Sequence, residues 1–125
     1  MKSLILIALF LGINIICFAQ VNQLVKIEQE AQFPGGDQAL VQYIYQNIKW
    51  PEATKGKLVM DEMNISFDVL PDSTSINVIA LKKVGYGIDE AVIDLIKQAK
   101  FIPSIQNGTA VKMNIMFVIP IQVRN

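Results

Sequence analysis

Histidine is absent from this 125-residue sequence, and cysteine occurs only once, as Cys17. Cys17 lies in an N-terminal apolar stretch that we expect to be removed, so the remaining chain offers no thiol, no imidazole and no disulfide. Serine or threonine nucleophiles would have only lysine as a base, and no Ser-x-x-Lys spacing occurs. The sequence therefore predicts a protein that is not an enzyme and that uses neither a cofactor nor a metal ion.

An excess of charge of either sign is also missing. Without Lys2 the chain has ten basic residues (11 minus 1) against 11 acidic ones, and neither sign forms a long block. Nucleic acid usually requires a basic face, and anionic membrane surfaces attract clusters of lysine and arginine. We therefore expect no nucleic-acid partner, and a membrane contact only if the N-terminal segment stays attached.

The N-terminus has the layout of a secretory signal. Lys2 gives a positive start, residues 4–18 are almost continuously apolar, and Ala19 provides the small residue before a cleavage site. We expect cleavage near Ala19 and export to the periplasm. An uncleaved membrane anchor is the rival interpretation, although the apolar stretch contains Asn14 and is shorter than the roughly 20 residues that span a bilayer. Lipid attachment at Cys17 is a further alternative, but the two isoleucines before it are bulkier than the residues of the usual motif.

Two segments have the apolar spacing of a helix. The first is expected to begin at Asp37, whose side chain would cap it, and to stop before Pro51. The second begins after Gly87 and ends before Pro103, with acidic residues in its first turn and lysines in its last, as the helix dipole favours. The apolar stripes are Leu40, Tyr43, Ile44 and Ile48 in the first helix, and Ile88, Ala91, Val92, Leu95, Ile96 and Ala99 in the second.

Three segments show the alternation of a strand with one buried face. The first two are joined by the turn of residues 70–73, which predicts a hairpin, and the Asn107-Gly108 turn precedes the third. The segments run from near Lys57 to Val69, from Ser75 to Leu81, and from Val111 to Ile121.

The order helix, strand, strand, helix, strand predicts an α+β fold, a small three-stranded antiparallel sheet with two helices packed on one face. Across the sheet we expect the order second, first, third strand, which makes the last strand an edge. Pro120 agrees with this placement because proline cannot donate to a ladder. An exposed edge can accept a strand from another chain. The chain is expected to comprise a signal peptide (1–19), an extended lead-in (20–32) and a folded domain (33–125).

Several small motifs have both a structural and a functional interpretation. The glycines of Phe33-Pro34-Gly35-Gly36 and of Gly85-Tyr86-Gly87 could bind phosphate at a helix start, but the rest of a phosphate loop is missing. We interpret both as turns. Three close acidic pairs are expected to be solvated surface, namely Glu28 and Glu30, Asp61 and Glu62, and Asp89 and Glu90.

The sequence leaves the interpretation of two apolar features undecided. Trp50, the only tryptophan, either fills the core or presents its ring at a binding edge, where tryptophan is enriched. A second set of apolar side chains is expected to face away from the helices, where the lead-in, a second copy or a partner could cover it. These residues are Ile79, Leu81, Met116 and Val118.

Taken in order, several motifs resemble the C-terminal domain of TonB-type energy transducers, in the form found in Bacteroidetes. The resemblance covers about residues 31–123, and it depends on the order of the motifs more than on any one of them. The chain departs from the family at Asp72-Ser73, where Asp-Gly is common, at Ser104, where glycine is common, and in having fewer aromatic residues; these departures concern turn details and not the fold. The motifs are Phe33-Pro34-Gly35-Gly36 with Ala39-Leu40, Asn47-Ile48-Lys49-Trp50-Pro51, Asp89-Glu90-Ala91, Phe101-Ile102-Pro103, Gln106-Asn107-Gly108 and Ile119-Pro120-Ile121.

The resemblance implies a periplasmic domain that pairs its last strand with a short segment, the TonB box, of an outer-membrane receptor or transporter. Backbone hydrogen bonds would supply affinity and side chains selectivity. The partner-binding residues implied are Lys112, Asn114, Met116 and Val118 on the last strand, and Asn47, Lys49, Trp50 and Pro51 at the exit of the first helix.

Full transducers also have a long anchor and a proline-rich spacer, whereas here a signal-like segment leads into the domain within about a dozen residues. We therefore expect a stand-alone exported form. The alternative is a structural or assembly protein of the envelope that dimerises through the sheet edge or the open face.

Overall fold

The structure is a computed structural model and describes residues 26–124. The expected signal peptide and the first part of the lead-in lie outside the described residues. The elements form an α+β fold, as the sequence predicts. They are β1 (Ile27–Gln29), α1 (Asp37–Asn47), a 3-10 turn (Glu52–Thr54), β2 (Leu58–Val69), β3 (Ser75–Lys82), α2 (Ile88–Gln98), β4 (Ser104–Gln106), β5 (Thr109–Val111) and β6 (Met113–Arg124).

The main sheet is antiparallel and has the order β3-β2-β6. The predicted order is confirmed, because the hairpin partner β3 and the last strand β6 lie on opposite sides of β2. The β2–β6 ladder runs without a register shift from Leu58–Arg124 to Val69–Met113. Within the described residues β6 is an edge of this sheet.

The core lies between one face of the main sheet and the two helices. Odd-numbered side chains of β2 and β6 point into it, and the apolar stripes of α1 and α2 cover them. Phe67 is fully buried at the centre, with its ring centroid 5.1 Å from that of Phe101. The other large, fully buried apolar side chains are Ile44, Met63, Ile65, Val69, Ile88, Val92, Ile96, Ile119 and Ile121.

A second, smaller sheet with the order β1-β4-β5 was not predicted. Its strands have three residues each, too few for alternation to be recognised. The described part of the lead-in belongs to this sheet: β1 pairs with β4, and Gln32 and Ile102 exchange two backbone hydrogen bonds of 3.0 and 2.8 Å. The described lead-in therefore does not cover the open face of the main sheet.

The predicted start of the last strand at Val111 is wrong. Asn107 and Gly108 both have positive φ, and the tight turn returns Val111 to pair with Ser104 in the small sheet. The chain then changes sheets at Lys112, and β6 begins at Met113.

The prediction that Asp37 caps α1 is also wrong. The residue at the N-cap of α1 is Gly36, and no side chain caps the helix with a hydrogen bond. The Gly36 N–H donates to the Phe33 carbonyl at 2.8 Å, and the Gly36 carbonyl accepts from Leu40 at 3.1 Å. Gly35 has φ +91°, and a Cβ there would come within 2.9 Å of the Ala39 Cβ. The paired glycines thus form a tight turn into the helix, which places Asp37 in its first turn.

The Asp89-Glu90 pair divides between two environments, so the prediction of solvated surface is wrong for one member. Asp89 is only 2% exposed, whereas Glu90 is exposed. The Asp89 carboxylate accepts the N–H groups of Val84 and Gly85, both at 2.8 Å. It therefore satisfies the backbone of the turn that leads into α2.

Candidate protein-binding site

The outer edge of β6 is one of the two edges of the main sheet, and it is the edge to which we expect a strand to add. The Pro120 carbonyl and the Gln122 N–H both bond to the Tyr45 hydroxyl on α1, so these backbone groups face away from β2. Alternate residues of a strand direct their backbone groups to the same side. Since the register of β6 is unbroken, the N–H and carbonyl groups of Asn114, Met116 and Val118 also face outward. Pro120 occupies an outward position, where its missing N–H removes no bond from the ladder.

The predicted residues on this edge are exposed. Met116 is 72% exposed and Val118 50% exposed, and within residues 26–124 no hydrogen bond from outside the sheet engages their outward backbone groups. Lys112 lies between β5 and β6, so it sits at the end of the edge and not on it. Met116 and Val118 thus form the accessible centre of the site.

Asn114 has a structural role on the open face. Its amide donates to the Asp68 carboxylate at 2.9 Å and to the Ser66 hydroxyl at 3.0 Å. Asn77 on β3 donates to the other oxygen of Asp68 at 3.0 Å, so one carboxylate links all three strands. The hydrogen bonds from Asn77 and then Asn114 lower the pKa of Asp68.

Of the predicted residues at the exit of the first helix, the structure connects only Trp50 to the β6 edge, through its contact with Tyr45. Trp50 is half-buried, and its ring centroid is 5.8 Å from that of Tyr45, so it packs against the core and keeps part of its ring exposed. Asn47 closes α1 by donating to the Tyr43 carbonyl at 2.7 Å, and Lys49 is exposed. Pro51 packs beside the start of α2, where it approaches Gly87.

Tyr45 joins the two predicted parts of the site, and sequence reasoning missed it. The Tyr45 ring contacts Trp50, while its hydroxyl bonds to Pro120 and Gln122. The sequence offered only one indication of such a role: Tyr45 is an aromatic residue that does not belong to the apolar stripe of its helix, whereas Tyr43 does. That spacing could not identify a partner 75 positions away.

The open face of the main sheet carries the predicted second set of apolar side chains. Ile79 and Leu81 on β3 are each 53% exposed, and Met116 and Val118 flank the opposite side. Between them, the central strand presents polar side chains, namely Asn64, Ser66 and Asp68. In this part of the sheet the face therefore has two apolar margins around a polar centre, whereas nearer the start of β2 the central strand itself presents the exposed Leu58 and Met60.

Other kinds of site find little support in the part of the chain that the structure describes. An open cavity of about 440 Å³ borders the paired glycines, but Glu30 and Asp37 line it, and their charge disfavours an anion. Residues 26–124 contain no group of three or more histidine, cysteine or acidic residues placed to hold a metal ion. No helix in the same range is long and apolar enough to cross a membrane.

A small α+β domain with an open edge at β6 and exposed apolar side chains is suited to binding another protein. The family described as the Gram-negative bacterial TonB protein C-terminal matches residues 46–121, more than half of the chain. The chain therefore belongs to the TonB C-terminal family, and the resemblance of its motifs is confirmed. No curated protein sequence matches the chain significantly.

Domains of this family are non-enzymatic protein-interaction modules that act in transport and contact outer-membrane transporters. Proteins of the family are associated with the cell envelope. The matched range ends at Ile121 and so includes most of β6 with its outer edge.

Proposed function

We propose that this chain is an exported, periplasmic binding module that takes up an extended segment of an outer-membrane receptor or transporter by strand addition to β6. The observation that carries the proposal is the open outer edge from Asn114 to Val118, with backbone donors and acceptors facing away from β2. A TonB-box-like segment would complete these bonds as a fourth strand. Met116 and Val118 would contact its side chains, and Asn47, Lys49, Trp50 and Pro51 would lie near one of its ends.

The structure favours Met116→Pro as the variant that tests this docking. The Met116 N–H faces outward, so proline removes a donor for the added strand without removing a β2–β6 bond, as Pro120 already shows. Met116→Ala is the matched control because it shortens the same side chain and keeps the N–H. Asn114→Pro is less suitable, since it would also remove the side-chain bonds to Asp68 and Ser66.

Binding is measured with synthetic peptides copied from the periplasmic N-terminal segments of transporters encoded in the same genome. We expect Met116→Pro to weaken binding by about tenfold, the equivalent of one lost backbone hydrogen bond at the upper end of its usual contribution, and Met116→Ala by much less. Circular dichroism and a thermal melt check that both variants stay folded. Equal affinities of folded Met116→Pro and wild-type protein would contradict docking on this edge.

The exposed apolar margins of the open face support a second candidate function, an envelope assembly protein that dimerises. Leu81 and Ile79 lie on β3, far from the β6 edge, so a dimer through the open face can be separated from strand addition. Sedimentation of the protein over a range of concentrations tests this candidate. A dimer that Leu81→Lys abolishes would favour the open face, because Leu81 lies away from the β6 edge, and a monomer at millimolar concentration would exclude it.

A further inference from the structure

The outer edge of β6 is not uniform along its length, because Tyr45 occupies part of it. The Tyr45 hydroxyl donates to the Pro120 carbonyl and accepts from the Gln122 N–H at 3.1 Å. A hydroxyl can donate and accept at the same time. This single group therefore provides the hydrogen-bond donor and the acceptor that the backbone of an added strand would provide at Pro120 and Gln122. Asn114, Met116 and Val118 have no such substitute among the described residues.

The Tyr45 side chain is held in place from two sides. Its backbone belongs to α1, which is anchored in the core by Leu40 and Ile44, and its ring packs against Trp50. A strand that extended past Val118 would have to displace the hydroxyl and move the ring. The bonds gained with Pro120 and Gln122 would only replace the bonds lost, so the extension would bring no net affinity.

We propose that Tyr45 ends the docking edge at Val118, so that a partner segment pairs with β6 only from Asn114 to Val118. Tyr45 is then a specificity-determining residue that sets the length of the segment bound. The inference rests on the proposed strand addition. The hydrogen bonds by which Tyr45 occupies the edge, however, form within this chain and do not depend on a partner. Tyr45 also lies just outside the range matched by the family, so this chain's own contacts carry the inference.

Tyr45→Phe tests the inference because it removes the hydroxyl and keeps the ring against Trp50. Tyr43→Phe is the matched control: it lies on the same helix and loses a hydroxyl that donates to the Leu95 carbonyl at 3.2 Å, away from the edge. Amide exchange followed by NMR needs no partner. In the wild type we expect slow exchange at Gln122 and fast exchange at Met116 and Val118. Tyr45→Phe should speed exchange at Gln122 by about tenfold or more, and Tyr43→Phe should leave it unchanged.

The second arm measures binding of a transporter peptide of about five residues, which spans the open edge, and of versions extended separately at each end by about four residues. Wild-type protein and Tyr43→Phe should bind all versions within about twofold. Tyr45→Ala removes the ring as well as the hydroxyl, so it should bind one extended version about tenfold more tightly, because two further backbone bonds become available.

The outcomes separate the inference from the proposed function. Wild-type protein that binds no peptide refutes the proposed partner, and the exchange data then decide whether the edge ends at Val118. Equal exchange at Gln122 and Met116 in the wild type overturns the inference, as does a wild-type protein that gains tenfold from an extended peptide. Protected Gln122 beside unprotected Met116, with length-independent binding, supports it.

Discussion

Replacement of Asp89 by alanine is expected to be among the most damaging single changes to a charged residue of this fold. The carboxylate is 2% exposed and accepts two backbone N–H groups, from Val84 and Gly85, at 2.8 Å each. Hydrogen bonds to a charged group contribute about 1.5 kcal/mol or more each, so Asp89→Ala should lower the free energy of unfolding by about 3 kcal/mol. That is a large fraction of the roughly 5–15 kcal/mol by which small domains are stable.

Urea denaturation followed by the fluorescence of Trp50, the only tryptophan, provides the measurement. With a urea dependence of about 1–3 kcal/mol per molar, the midpoint should fall by about 1–3 M. Glu90→Ala is the matched control, since the neighbouring side chain is exposed in the same helical turn. A change below about 0.5 kcal/mol for Asp89→Ala, the value usual for a surface substitution, would refute the buried-acceptor role.

Two further changes test other parts of the fold. Donated hydrogen bonds lower the pKa of Asp68 in the folded protein, so its ionised form stabilises the fold at neutral pH, and this contribution is lost as pH falls through the lowered pKa. The difference in stability between wild type and Asp68→Asn should therefore shrink below about pH 4 in denaturation series, and a difference that stays constant down to pH 2 would contradict the network. Gly87→Ala should destabilise the fold by more than about 1 kcal/mol, because φ is +79° and an added Cβ would lie 3.3 Å from the Pro51 Cγ. Gly56→Ala, at φ +73° with open space around it, should cost less, and equal melting temperatures of the two variants would argue against the Pro51 contact.

Periodicity was sufficient to predict the elements that make the core. The helices, the hairpin and the central position of β2 follow from apolar spacing and from the crossover of the chain through α2, because each of these segments is long enough to show its period. The edge position of β6 was predictable for the same reason, with Pro120 as independent support. These elements also carry Met116 and Val118, the accessible centre of the candidate site.

The features that periodicity missed depend on contacts between distant residues or on very short segments. The alternation from Val111 through Lys112 to Met113 is unbroken, so it cannot show that the chain changes sheets there. Asp89 lies in the first turn of its helix, and this position is equally compatible with a carboxylate in water and with one that accepts two backbone N–H groups. The sequence therefore could not show that Asp89 is buried. Tyr45 has no pattern that indicates Pro120 as its partner, since the packing of α1 across the sheet decides that contact.

The unequal lengths of the two sides of β6 have a mechanical consequence. On its inner side β6 is paired with β2 over twelve residue pairs, whereas a strand added on its outer side would meet open backbone only from Asn114 to Val118. A pull along the strand direction loads all the hydrogen bonds of a ladder in shear, and the shorter ladder carries the greater load per bond. A docked segment should therefore detach before β6 leaves the sheet. The module would survive such a load intact and could engage again.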